Sequence, residues 1–253
     1  MSLRRSLDPK VHSELSPRTV YGPVPSRRYG VTLGLNLSPQ GEKRCGLRCT
    51  YCQIGPERRP DRPVVYADLD RLRAEVTQAQ RESQVPIDAW VLSGNGEATL
   101  HPQFPQAVAL LRELRAELAP QMPIVLLTSG TELGDPQVLQ ACQQLDEVAV
   151  KLDAGTQAMY ERLDMPWEPL AVDAVPRWAK QLPQAIAQTM LVQGSVDNTV
   201  AGEIAAYLDL LDLMGPRRVD LYTLARPPVE KGLRPASPEA LQRVADQVAA
   251  PAA

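Results

Sequence analysis

Apolar positions along the chain alternate between two rhythms, a short continuous or period-two run and a longer one at helical spacing. After an irregular start, residues 30–37 alternate and are rich in β-formers, which predicts a first strand. Over residues 68–84 the apolar side chains Leu69, Leu72, Val76 and Ala79 fall on one helical stripe; residues 89–92 form a short apolar strand, and 106–118 are helical again. The pattern continues with a strand at 124–128, a helix at 136–145 and a strand at 148–152. A helical stretch broken by Pro166-Trp-Glu-Pro169 follows, then a strand at 185–192, a helix at 200–213, a strand at 219–224 and a last helix from Pro238.

Six strands alternating with six helical segments, the strands apolar on both faces, predict a parallel sheet covered by helices. The fold class is therefore α/β, and six units of this length suggest a (β/α)6 partial TIM barrel with its helices outside. A chain of 253 residues with 44% hydrophobic content suffices for one sizeable core. We expect an irregular basic arm over residues 1–21 and a single core domain over 22–253. No stretch approaches the roughly 20 consecutive apolar residues of a membrane span, and the first residues carry charge without an apolar run behind them. The expected location is cytoplasmic.

Charge is distributed unevenly. Residues 1–62 carry twelve Lys/Arg against five Asp/Glu, a balance of +7, so a net charge of −3 leaves −10 for the remainder. This basic stretch is either a solvated arm or an attractor for an anionic partner such as RNA, a phosphorylated substrate or an acidic electron donor. Arg27 and Arg28 are candidates to bind an anionic substrate at the barrel mouth or to pin the arm by ion pairs. Arg58, Arg59 and Arg62 are placed at the same mouth.

Inside the basic region lies Cys45-Gly-Leu-Arg-Cys49-Thr-Tyr-Cys52, three thiols in one loop of a chain with four cysteines. A tetrahedral zinc site wants four protein ligands, and Cys142 sits far away in a predicted helix, where it reads as a core residue. An iron–sulfur centre suits three soft thiolates better, because a [4Fe–4S] cluster with three protein ligands keeps one iron open.

The CxxxCxxC spacing, with Tyr51 just before the third cysteine, resembles the signature of the radical S-adenosylmethionine (SAM) enzymes. Ser93-Gly94-Asn95-Gly96-Glu97 resembles that family's glycine-glutamate motif. The resemblance implies a [4Fe–4S] cluster on Cys45, Cys49 and Cys52, and SAM as the second cofactor. It implies reductive cleavage of SAM to a 5′-deoxyadenosyl radical, fed by a low-potential electron donor of flavodoxin or ferredoxin type. It places Tyr51, Gly94, Asn95, Gly96, Glu97, Ser129, Lys151 and Asp153 around the cofactors, with the Glu97 carboxylate on the SAM ammonium.

Read from the residues alone, Lys151 ends a buried strand and needs an anionic partner, which Asp153, two positions on and on the same face, can supply. Lys151 serves the SAM carboxylate, forms a structural pair with Asp153, or carries a Schiff base. Met190 and the Gln193-Gly194 pair resemble an adenine-contacting segment, and His101 is expected in a loop role. Residues 22–30 and 221–228 resemble a branch that includes the tRNA wyosine-forming enzymes, although the chain lacks a second cysteine triad. An iron–sulfur protein for electron transfer or sensing is the alternative function.

Overall fold

The computed structural model describes residues 15–39, 41–54, 64–226 and 231–250. Its strands are β1 (Val20–Ser26), β2 (Gly30–Leu35), β3 (Ala89–Leu92), β4 (Ile124–Thr128), β5 (Glu147–Lys151), β6 (Ala185–Gly194), β7 (Arg218–Thr223) and β8 (Leu233–Pro235). The helices are α1 (Leu69–Glu82), α2 (Phe104–Leu118), α3 (Pro136–Cys142), α4 (Gln157–Leu163), α5 (Ala174–Ala179), α6 (Ala201–Met214) and α7 (Pro238–Ala249). In the sheet the strands follow one another from β1 to β7, with β8 paired to β6.

Neighbours from β2 to β7 are parallel. These six strands are the ones that the apolar rhythm predicts. The two antiparallel additions, β1 on β2 and β8 on β6, were not expected. β1 begins at Val20, so the irregular start is shorter than the sequence suggests. Its Pro23 and Pro25 interrupt the alternation and remove ladder donors, which an edge strand tolerates.

Side chains sort by size across the sheet. On the helix side, Trp90, Leu33, Leu35, Leu92, Ile124 and Leu126 pack with Leu72 and Val76 of α1 and Phe104 and Leu111 of α2. Each such side chain contributes about 1.5–3 kcal/mol by leaving water. The inner face carries the smaller Ala89, Val91 and Val125, joined by Leu127 and Tyr29. Helix starts are fixed by side-chain caps: Asp68, Asp135, Thr156 and Ser237 each accept a hydrogen bond from a backbone N–H of the first turn. Cys142 lies fully buried on the helix side, as expected of a core cysteine.

Because β2 to β7 are parallel, their carboxyl ends share one rim. The cysteine loop follows β2, Gly94–Glu97 follows β3, Thr128-Ser129-Gly130 closes β4, and Lys151 ends β5. The turn with Arg27 and Arg28 joins β1 to β2 at the opposite, amino-terminal end. This corrects the expected place of both arginines at the mouth. The Arg28 guanidinium lies over the rings of Tyr29 and Tyr222, 5.7 and 5.4 Å from their centres. Arg58, Arg59, Arg62 and most of the basic arm fall outside the described residues.

Candidate functional site

The cysteine loop is held on three sides, largely by backbone. On one side, Glu97 N–H donates to Arg44 C=O at 2.6 Å, and Arg44 and Gly96 form a parallel bridge. A Cβ on Gly96 would stand 1.8 Å from the Arg44 oxygen, so the loop approaches only because this residue is glycine. The resemblance sets this glycine beside the cofactors; the neighbour its missing Cβ admits is the cysteine loop. On the second side, a Cβ on Gly46 would meet Thr131 Oγ1 at 2.3 Å.

The third side is the segment after α4. Thr50 N–H donates to Leu163 C=O at 2.9 Å, Arg48 N–H to Asp164 C=O at 3.0 Å, and Trp167 N–H to Gly46 C=O at 3.0 Å. The Arg48 guanidinium stacks 4.4 Å from the centre of the Trp167 ring. Sequence reasoning missed this clasp, since a Pro-rich break between helices carries no signal of its partner a hundred residues away.

None of the three sulfurs is in a disulfide, and all three are half-buried. Cys45 and Cys49 pack with Leu47, Ala154 and Tyr160 in an apolar patch. Burial, reinforced by the Glu97 charge, pushes the Cys45 thiol up to about 12. Burial likewise drives Cys49 well above the ordinary thiol value, against the pull of Lys151. Such sulfurs become thiolates only where a cationic centre compensates, which is what iron provides. Among the described residues no group of three or more His, Cys, Asp or Glu side chains is arranged to hold a metal ion. The donor set, three soft sulfurs in an apolar setting, fits a polynuclear centre with wider corners.

Glu97 is 2% exposed and ties two strand ends together. Its Oε1 accepts from Thr99 N–H and Oγ1 and from Thr128 Oγ1, and its Oε2 accepts from Ser129 N–H at 2.6 Å. Of these four bonds Oε1 takes three and Oε2 one, so Oε2 is the oxygen open to a further donor. Ser129 Oγ pairs with Thr131 Oγ1 at 3.1 Å beside the cysteine loop. Gly94 lies against Asn36, whose amide oxygen would be 2.3 Å from an added Cβ. The Asn95 amide is committed to backbone: Nδ2 donates to Ser16 C=O at 2.8 Å, and Oδ1 accepts from Ser16 N–H at 2.7 Å. Its side chain pins the incoming chain, and its N–H donates to Asn36 Oδ1 at 3.2 Å, so neither is turned to a ligand.

Lys151 has more partners than the one expected. It donates to Asp153 and to the Tyr51 hydroxyl, and its Nζ lies 2.7 Å from Asp164 Oδ1. Tyr51 donates to Asp153 in turn, and the ammonium sits 4.5 Å from the centre of the Tyr51 ring. Burial works against the charged lysine, yet Asp153 and Asp164 outweigh it and hold its pKa well above the ordinary value. Burial also pushes Asp164 up to about 7, with Lys151 opposing. Leu47, Ser129, Lys151, Asp153 and Asp164 line a cavity of about 10 Å³ at the junction of these groups.

The remaining expectations divide. His101 takes the loop role: Nε2 meets Ala67 C=O at 2.8 Å and Nδ1 accepts from Gln103 N–H at 3.0 Å. Gln193 is turned away from the rim, donating to Thr199 Oγ1 and accepting from Ser237 N–H at the start of α7. Met190 stays at the rim, with its N–H bonded to Asp153 Oδ1 at 2.8 Å.

Known proteins place this geometry. Residues 43–209 match the model of the radical SAM superfamily. A UPF0026 protein of Helicobacter pylori is 30% identical over 212 residues, covering 82% of this chain and 67% of that protein. A radical SAM methyltransferase from Sphaerobacter thermophilus superposes with a TM-score of 0.59 at 18% identity, covering 86% of this chain and 63% of that one. A TYW1 structure with a lysine-pyruvate adduct bound gives 0.58 at 12% identity, over 86% and 72%. At these identities the structures share the fold, a partial barrel of parallel strands with helices around it. Among the described residues no helix is long and apolar enough to cross a membrane. The chain belongs to the radical SAM superfamily, enzymes that work with a [4Fe–4S] cluster, SAM and a reductant.

Proposed function

We propose that Cys45, Cys49 and Cys52 hold the cluster and that the rim formed by Gly96, Glu97, Ser129 and Met190 receives SAM, for radical modification of a substrate. The single observation that carries this reading is the 2.6 Å bond from Glu97 N–H to Arg44 C=O, which seats the glycine-glutamate turn directly on the cysteine loop. Two motifs some fifty positions apart thereby become one site. Bound there, the cofactors supply an electron and a sulfonium whose reductive cleavage gives methionine and a 5′-deoxyadenosyl radical.

The chain's own contribution is orientation, charge balance and exclusion of water. The apolar patch of Leu47, Ala154 and Tyr160 keeps solvent from the sulfurs. Glu97 Oε2 offers its remaining lone pair to an ammonium, a charge-assisted bond of the stronger kind. Lys151, already neutralised by Asp153 and Asp164, acts as a brace between the rim and the clasp. This favours the structural pair over a Schiff-base lysine, which needs a free amine. Residues 22–253 act as one core domain in this reading, and the electron donor is of flavodoxin or ferredoxin type. Arg27 and Arg28, at the far end, are set aside as mouth residues.

Protein purified without oxygen, reduced and mixed with SAM should form 5′-deoxyadenosine slowly without any substrate. Glu97→Gln should keep its iron yet bind SAM more weakly by about 1.5–3 kcal/mol, one charged hydrogen bond. Unchanged SAM binding in that variant would remove Glu97 from the pocket. Iron-loaded protein that never cleaves SAM would support the alternative of an electron carrier or sensor.

A further inference from the structure

A buried cation lies against the thiols and has no part in the reading above. Lys43 is 6% exposed, and its Nζ donates to Cys52 Sγ at 3.1 Å. An ammonium this deep must be met by acceptors, because burying it unpaired is costly. Its place is set by the chain around it, since Arg44, the next residue, is fixed by the bond from Glu97 N–H.

We propose that Lys43 is a positioning residue for charge: its ammonium, donating to the Cys52 sulfur, favours the reduced state of the cluster and so raises its potential. The inference rests on the assignment of the three cysteines made above. Reduction adds one electron, taken from a low-potential one-electron donor, and no proton; the centre becomes one unit more negative and part of that charge spreads onto the sulfurs. A cation at hydrogen-bond distance interacts more strongly with the more negative state, and hydrogen bonds to cluster sulfurs are a recognised lever on potential. The lever acts where the family's chemistry is most demanding, at the entry of the electron. A role limited to building the loop would leave the potential unmoved.

The test is a redox titration of the reconstituted protein, followed by the electron paramagnetic resonance of the reduced cluster, with iron per chain measured alongside. Lys43→Met should keep about four irons per chain. At a fixed applied potential its ratio of reduced to oxidised cluster should fall about tenfold, a shift of about 59 mV for one electron. Lys43→Arg, which keeps charge and donor, should titrate with the parent. A Lys43→Met protein at the parent's potential overturns the inference, as does a Lys43→Arg protein shifted equally far. If Lys43→Met does not fold, Lys43→Gln is read in the same way. Loss of iron from both neutral variants overturns it too, because Lys43 then builds the site instead of tuning it. A parent without a cluster overturns the cysteine assignment and this inference together, whereas a loaded parent with unshifted variants overturns this inference alone.

Discussion

The two ends of the parallel strands each bury a carboxylate and treat it in different ways. At the amino-terminal end Glu147 accepts from Tyr29 and from Arg217 and Arg218, whose side chains are 46% and 45% exposed. At the carboxyl end Asp153 and Asp164 share Lys151, and the three side chains are 0%, 2% and 14% exposed. The first arrangement is a solvated seam that pins a hairpin. The second is a sealed set of charges, with one more carboxylate than lysine, adjoining Cys49 and the clasp that holds the cysteine loop. Screening makes the seam cheap to alter, while the sealed set has no water to replace a missing partner. Charge that is costly to bury is concentrated on the rim where the family does its chemistry.

That contrast can be broken. Lys151→Met should have the largest effect, destabilising the metal-free protein by about 3–5 kcal/mol in denaturant unfolding, because two carboxylates lose their cation. Its sign with pH follows from Asp164, which burial already pushes up to about 7. A raised carboxylate favours the folded state while protonated and loses that advantage as pH rises. Loss of Lys151 raises that pKa further, so the deficit should grow as pH rises above about 7 and level off below it. Glu147→Gln should cost only about 1 kcal/mol and leave iron content unchanged, since its arginines return to water. Equal losses from the two variants would erase the distinction between seam and sealed set.

The frame was legible because β2 to β7 and their helices each bury a continuous or periodic apolar face. β1 was not, as its two prolines spoil the alternation, and three-residue β8 is too short for any period to show. The Pro166–Pro169 break was visible, but it left hidden that α4 and α5 are separated by a clasp whose carbonyls receive the cysteine loop. The thiols and Glu97 stood out by spacing. Asp164 did not, because its bond to Lys151 depends on the path of the chain after α4. Asn95 was legible as part of a motif and misleading as a side chain, since its amide holds Ser16. Arg27 and Arg28 were drawn to the mouth by charge alone; the unforeseen hairpin carries them to the other end.

The central claim is that one loop gathers the iron ligands while the fourth cysteine belongs to the core. Iron and sulfide per chain, measured on protein purified without oxygen, test it most directly. About four irons are expected in the parent and in Cys142→Ala, and few or none in Cys45→Ala, Cys49→Ala or Cys52→Ala. Stoichiometric zinc in place of iron, or full iron retained after loss of any of the three, would contradict it.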